Sequence, residues 1–230
     1  MRNSAKSHIN LVKYMRREDV FLAQWLEKEK EKFSRACRIL YEKGLVSGVG
    51  GNLCVRAGEI YLLTPTGYSL RDIETDNISV VDENMKLIEG QPPTKDALVH
   101  MEVLKKRTDV AISCHVHGAY IIAAGSLLYP GDNSIPPITP GFVYFAYPLP
   151  MLPFLVPGSN ELKTSVVEIL SKGEIKALLL QNHGLITLGE SYSEAINIAE
   201  EVEEAAHIYL LTHGKARHLT DSEIEKIKSL

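Results

Sequence analysis

The sequence predicts an α/β fold: one domain, a three-layer α/β/α sandwich built on a central, mainly antiparallel sheet. Three observations predict it. A chain of 230 residues, 45% of them apolar, is long enough for one sizeable core without disulfide or metal staples. The N-terminal half reads as a long amphipathic helix followed by strand pairs joined through short turns, the pattern of antiparallel hairpins. The C-terminal half alternates strands with helices, which lie on both faces of the sheet. The domain is expected over residues 21–230, behind an N-terminal extension over residues 1–20.

Phe21 to Lys43 reads as a helix because Leu22, Trp25, Leu26, Phe33, Cys37, Ile39 and Leu40 follow the 3.6-residue period. Gly44 ends it as a glycine just past the last turn. The stretch Val46–Leu53 holds too many glycines for either regular element. Leu53–Ala57 and Glu59–Thr64 form a hairpin across Ala57-Gly58, and Pro65-Thr66-Gly67 is a turn. Ile78–Val81 and Met85–Glu89 are two further strands. Thr94 is the expected N-cap of a helix running to about Lys106. Val110–His117 is a strand and Gly118–Leu127 a helix. Leu128–Gly158 holds eight of the 11 prolines and reads as a long irregular segment, a feature that usually serves function. A helix over Asn160–Ser171, strands over Ile175–Gln181 and Leu185–Leu188, and a long helix over Tyr192–Thr212 complete the chain.

Composition excludes several functional classes. Lys plus Arg number 25 against 29 Asp plus Glu, a formal charge of −4, with no basic stripe, so no nucleic-acid partner is expected. Three dispersed cysteines, Cys37, Cys54 and Cys114, with no CxxC pair make no secreted disulfide framework. The first fourteen residues are polar and basic, unlike a secretory signal. The longest apolar runs are far too short to cross a bilayer. The chain reads as a cytoplasmic protein with no membrane association.

The informative stretch is Val110-Ala-Ile-Ser-Cys-His-Val-His117. In a strand, side chains alternate between faces. Val110, Ile112, Cys114 and Val116 then point one way, and Ala111, Ser113, His115 and His117 the other. Two imidazoles leave one face at the strand's end. His183 ends another apolar strand, Ala177-Leu-Leu-Leu-Gln181, and Gly184 after it permits close backbone approach. If these ends meet, His115, His117 and His183 form a three-nitrogen site with an open coordination position, as catalytic zinc sites do. Imidazole also suits manganese, cobalt and iron. Asp96, in the first turn of its helix, adds a carboxylate where the helix dipole favours one.

Five blocks occur in an order that resembles the class II aldolase/adducin family: Gly50-Gly-Asn52, Leu63-Thr-Pro-Thr-Gly67, Pro93-Thr-Lys-Asp96 with His100, Cys114-His-Val-His-Gly118, and Asn182-His-Gly-Leu-Ile186. The resemblance covers about Phe33 to Ile224. It implies one divalent ion per subunit, zinc first, on His115, His117 and His183. It implies Asp96 as the proton-moving acid/base, although aldolase members carry the longer Glu there. It implies Asn52, Thr66, Gly67, Thr94 and Lys95 as the anchor of a substrate phosphate. The glycine-rich turns and helix start agree, since both expose N–H groups to an anion. The resemblance further implies a cyclic homotetramer with sites at subunit interfaces.

The family's shared chemistry implies a metal-dependent carbon–carbon lyase acting on a small phosphorylated sugar or sugar acid. The ion polarises a carbonyl or vicinal oxygens, and cleavage of the adjacent bond leaves an enolate or enediolate. A departing aldehyde makes the reaction an aldol cleavage, and departing CO₂ a decarboxylation. Pro93-Thr-Lys-Asp96 and Ile135-Pro-Pro-Ile-Thr-Pro140 are most similar to the 3-oxo-tetronate 4-phosphate decarboxylase branch. A 4-epimerase is the next reading, opposed by the lack of any acid between Gly141 and Ser159. A dehydratase on a methylthioribulose-type phosphate and a non-catalytic adducin-like scaffold follow. His100 reads as helix packing or a hydrogen-bond partner behind the site. His207 and His213 are surface or interface groups, and the glutamates 200, 201, 203 and 204 a solvated cluster. Tyr144, Phe145 and Tyr147 either line the site or pack between subunits.

Overall fold

The computed structural model describes residues 17–230, with side chains from Leu22 onward. The first sixteen residues of the expected N-terminal extension lie outside the described residues. Helix α1 spans Arg17–Glu42, starting before Phe21. It ends one residue before the expected Lys43, with Gly44 at φ +73°, a conformation that glycine adopts without steric cost. Four strands follow: β1 (Asn52–Ala57), β2 (Ile60–Leu63), β3 (Ser79–Asp82) and β4 (Leu87–Glu89). Then come α2 (Ala97–Lys106), β5 (Ile112–Val116), α3 (Ala119–Leu127), α4 (Pro140–Ala146), β6 (Met151–Leu152), α5 (Asn160–Leu170), β7 (Ala177–Leu180), β8 (Gly184–Gly189), α6 (Tyr192–Leu211) and α7 (Asp221–Lys228).

The strands form one eight-stranded sheet in the order β4-β3-β2-β1-β5-β8-β7-β6. Every neighbouring pair is antiparallel except β6 with β7. Strand alternation divides the apolar residues between two cores. Leu53, Val55, Ile112, Cys114 and Val116 face one side and pack with Phe33 and Leu40 of α1, Ile121 of α3, Phe142 of α4 and Val202 of α6. Cys54, Leu63, Leu178 and Ile186 face the other and pack with Met101 and Leu104 of α2 and Leu162 and Val166 of α5. The unbroken apolar run in β7 follows from this arrangement: Ala177 and Leu179 enter the first core, Leu178 and Leu180 the second. The expected three-layer sandwich is the fold found. Among the described residues no helix is long and apolar enough to cross a membrane.

Four expectations are corrected. Val110 packs in the second core while Ala111 packs against the first, opposite to the phase of the strand that follows. The regular strand starts only at Ile112, because the Arg56 guanidinium donates to the carbonyl of Val110 and pins that turn. Thr94 is not the N-cap: its N–H donates to Thr64 O, holding residues 93–95 against the Pro65 loop, and the helix begins after Asp96. The proline-rich segment is less irregular than expected. Thr139 caps α4, with Pro140 at its first position, where a proline loses no hydrogen bond, and β6 adds a short parallel edge strand. A further helix, α7, starts at a capping box in which Thr220 and Glu223 satisfy each other's backbone N–H groups, and it packs on α4.

Candidate metal centre

The pairing of β5 with β8 brings the histidines together. His115 lies opposite Ile186 and Val116 opposite Leu185, so His117 and His183 stand just past adjoining strand ends. His115 shares the face of Ser113, toward α2 and α5. Its Nε2 is 2.9 Å from Nε2 of His117 and 3.3 Å from Nε2 of His183, and the candidate ligand atoms of all three lie within 4.8 Å of one another.

The proton on His115 can be assigned from its partner. Nδ1 lies 3.0 Å from Leu185 O. A carbonyl only accepts, so Nδ1 carries the hydrogen and Nε2 presents a lone pair. Burial lowers the pKa of His115 well below the ordinary histidine value, and His117 and His183 lower it further. Burial also lowers His117 and His183, against the raising effect of Asp96. Neutral imidazoles are the form that binds metal. Lone pairs packed this closely repel one another unless a cation or shared proton lies between them, so the donor set fits a divalent ion.

Glycines make room for the cluster. A Cβ on Gly184 would lie 2.3 Å from Val116 O and 2.8 Å from Cδ2 of His117, and one on Gly50 would lie 2.7 Å from Nδ1 of His117. Asn182 turns the chain into His183 through a left-handed conformation, φ +57°, which asparagine tolerates better than most residues.

Asp96 lines the same cavity as His115 and His183, with Leu162, Val166 and Leu180 as apolar walls. Its side chain makes no capping bond to its own helix. It instead accepts from Asn52 Nδ2 at 2.8 Å, and Asn52 is bonded through its oxygen to His100. His100 takes the hydrogen-bonding place behind the site, one of the two readings the sequence offered for it. Its position one turn beyond Asp96, on an apolar helix face, was the available signal.

Of the residues expected to anchor an anion, Thr66 and Thr94 lie on two segments that run side by side. Pro65 bridges Pro93 in antiparallel register, so Thr66 faces Pro92 and Thr94 faces Thr64. The N–H groups of Thr66 and Thr94 are spent on Pro92 O and Thr64 O and the Thr94 hydroxyl accepts from the N–H of Asp96, which leaves the Thr66 hydroxyl, Gly67 and the exposed Lys95 for a ligand. Asn52 is buried against Asp96 and His100.

Other groups lie elsewhere. Tyr144, Phe145 and Tyr147 line a different cavity, with Glu174, Lys176, Glu194 and Lys228. Glu203 is not simply solvated: it accepts from the N–H groups of Tyr120 and Ile121 at the start of α3. His207 stacks on Tyr120 with ring centroids 3.7 Å apart.

With this geometry in hand, known proteins can be compared. The model of the Class II Aldolase and Adducin N-terminal domain matches residues 31–210. A 3-oxo-tetronate 4-phosphate decarboxylase from Haemophilus influenzae is 34% identical over 205 residues, covering 87% of this chain and 96% of that protein. An L-fuculose phosphate aldolase from Methanococcus maripaludis is 30% identical over 185 residues, covering 80% and 98%. The crystal structure of YgbL from Klebsiella pneumoniae superposes with a TM-score of 0.82 at 29% identity, covering 88% of this chain and 98% of that one. The resemblance drawn from five short blocks thus extends to the sequence and to the fold: the chain belongs to the class II aldolase/adducin family.

Proposed function

We propose that this protein is a metal-dependent carbon–carbon lyase acting on a small phosphorylated sugar or sugar acid. The observation that carries the reading is the convergence of three imidazoles, two of which, His115 and His183, line a cavity with Asp96. His115, His117 and His183 hold a divalent ion, zinc by preference, with manganese, cobalt and iron as alternatives the same donors accept. When bound, the ion acts as a Lewis acid toward a substrate carbonyl or vicinal oxygens.

The chain's own residues do the rest. Leu162, Val166 and Leu180 exclude water from the cavity and strengthen every charge interaction in it. Asp96 takes a proton from, or returns one to, the substrate carbon or hydroxyl beside the breaking bond. Thr66, Gly67, Thr94 and Lys95 hold the distal phosphate, and Asn52 holds the carboxylate of Asp96. Fixing the phosphate turns remote binding into orientation at the reacting carbon. Exposed Leu127, Tyr129, Phe154 and Val156 provide apolar surface for assembly into a homotetramer, with the sites near its interfaces.

Decarboxylation is the favoured form of this chemistry. It is the activity named for the 34% identical relative, and the Pro93–Asp96 and Ile135–Pro140 segments resemble that branch. Elemental analysis of the native protein and of His115→Ala tests the metal. About one ion per chain, lost in the variant, is expected. Incubation with 3-oxo-tetronate 4-phosphates and with fuculose 1-phosphate then separates CO₂ release from aldehyde release. Absence of metal after incubation with zinc overturns the reading.

A further inference from the structure

Behind Asp96 a line of polar side chains runs through the second core. Ser113 Oγ of β5 is 2.7 Å from His100 Nδ1 on α2. His100 Nε2 meets Asn52 Oδ1 on β1. Asn52 Nδ2 donates to Asp96 Oδ2. Ser113, His100 and Asn52 are all buried. Three elements spend buried polar groups on one another, and the line ends at the carboxylate of the candidate site.

The end of the line dictates its direction. An ionised carboxylate only accepts, so Asn52 must turn its NH₂ to Asp96. Its oxygen then faces His100, whose Nε2 must carry the ring hydrogen. Nδ1 is left as an acceptor and receives the Ser113 hydroxyl. Every hydrogen points toward Asp96. The opposite direction requires a protonated Asp96 donating to Asn52 Oδ1, with Asn52 donating to Nε2 and Nδ1–H donating to Ser113. The ring hydrogen of His100 is therefore tied to the way Asn52 faces Asp96. Burial keeps the ring neutral, with its pKa lowered to about 4 despite the raising effect of Asp96, so the imidazole keeps one donor and one acceptor and transmits direction.

We propose that His100 is a positioning residue: through Asn52 it fixes the carboxylate of Asp96 beside the three imidazoles. The proposal rests on the reading of Asp96 as the proton-moving group. It explains why Asn52 is buried against Asp96 and His100.

The test is long-range nitrogen–proton NMR of the histidine rings in the full-length protein at neutral pH. His100 is expected in the Nε2–H form. In Asp96→Asn the end of the line no longer demands a donor, and the preference for Nε2–H should fall by about tenfold, the worth of one hydrogen bond to a charged group. In Ser113→Ala the Nε2–H form should persist, because Asp96 still sets the direction. An Nδ1–H ring in the native protein, or a ring unmoved by Asp96→Asn, overturns the proposal and leaves His100 a packing residue. A shift in Ser113→Ala matched by none in Asp96→Asn does the same. Zinc content measured on the same samples judges the lyase reading separately. Coupling without zinc would leave the line standing and the metal mechanism fallen.

Discussion

Gly184 decides how closely the two strand ends can approach. A methyl group there meets Val116 O, which is backbone and cannot swing aside, as well as the ring of His117. Gly184→Ala is therefore expected to destabilise the protein by about 1–3 kcal/mol, the usual cost of overfilling a packed site, and to weaken zinc binding. Urea denaturation and a zinc competition titration measure the two effects; native zinc affinity in this variant would show that the approach is not needed. Gly58 is the contrasting case. Its backbone is left-handed, φ +68°, but a Cβ there meets nothing within 4 Å. Gly58→Ala should cost stability through backbone strain alone and leave zinc binding unchanged, which the same titration checks.

At the scale of elements, Arg107 fastens the end of α2 to the end of α5. Its buried guanidinium donates to the carbonyls of Leu170, Lys172 and Ile175 and makes a two-pronged pair with Asp109, whose carboxyl it holds below its usual value. Arg107→Ala strands three carbonyls at once and should cost about 3 kcal/mol or more, read as a lower urea midpoint at unchanged slope. An undiminished midpoint would mean that water replaces the guanidinium. Element by element, legibility followed the range of the interactions. The histidines on β5 and at the start of β8 were legible because strand alternation is local and fixes which face a side chain takes. Helix α4 was legible in principle from Thr139-Pro140, a capping residue before a proline, but eight prolines in one segment masked it. The Val110 phase slip was not legible, because its cause is a bond from Arg56, more than fifty residues away in the chain. The Asn52–Asp96 bond was hidden for the same reason: no periodicity joins residues on β1 and α2.

For the whole molecule, the buried neutral histidines set acid stability. His100 has an ordinary value of 6.5 when exposed and about 4 in the fold. Between those values the unfolded chain binds more protons, so stability is full above pH 6.5 and declines as pH falls toward 4. The expected loss by pH 4 is about 3 kcal/mol from this one group. His115, His117 and His183 are lowered too and act in the same direction when no metal is present. Urea unfolding of chelator-treated protein at pH 7 and pH 4.5 measures the decline, and His100→Gln, which has no such group, should flatten it; an equally steep decline in that variant would exonerate His100. The sheet order has one more consequence. His117 and His183 are neighbours in space, but the chain between them carries α3, α4, β6, α5 and β7. An ion gripping both ends acts as a removable cross-link around that long loop, and constraints that close long loops restrict the unfolded chain most. A chelator should therefore act on this protein much as a reductant acts on a disulfide-bonded one, exposing the loop to proteases while the chain remains covalently intact.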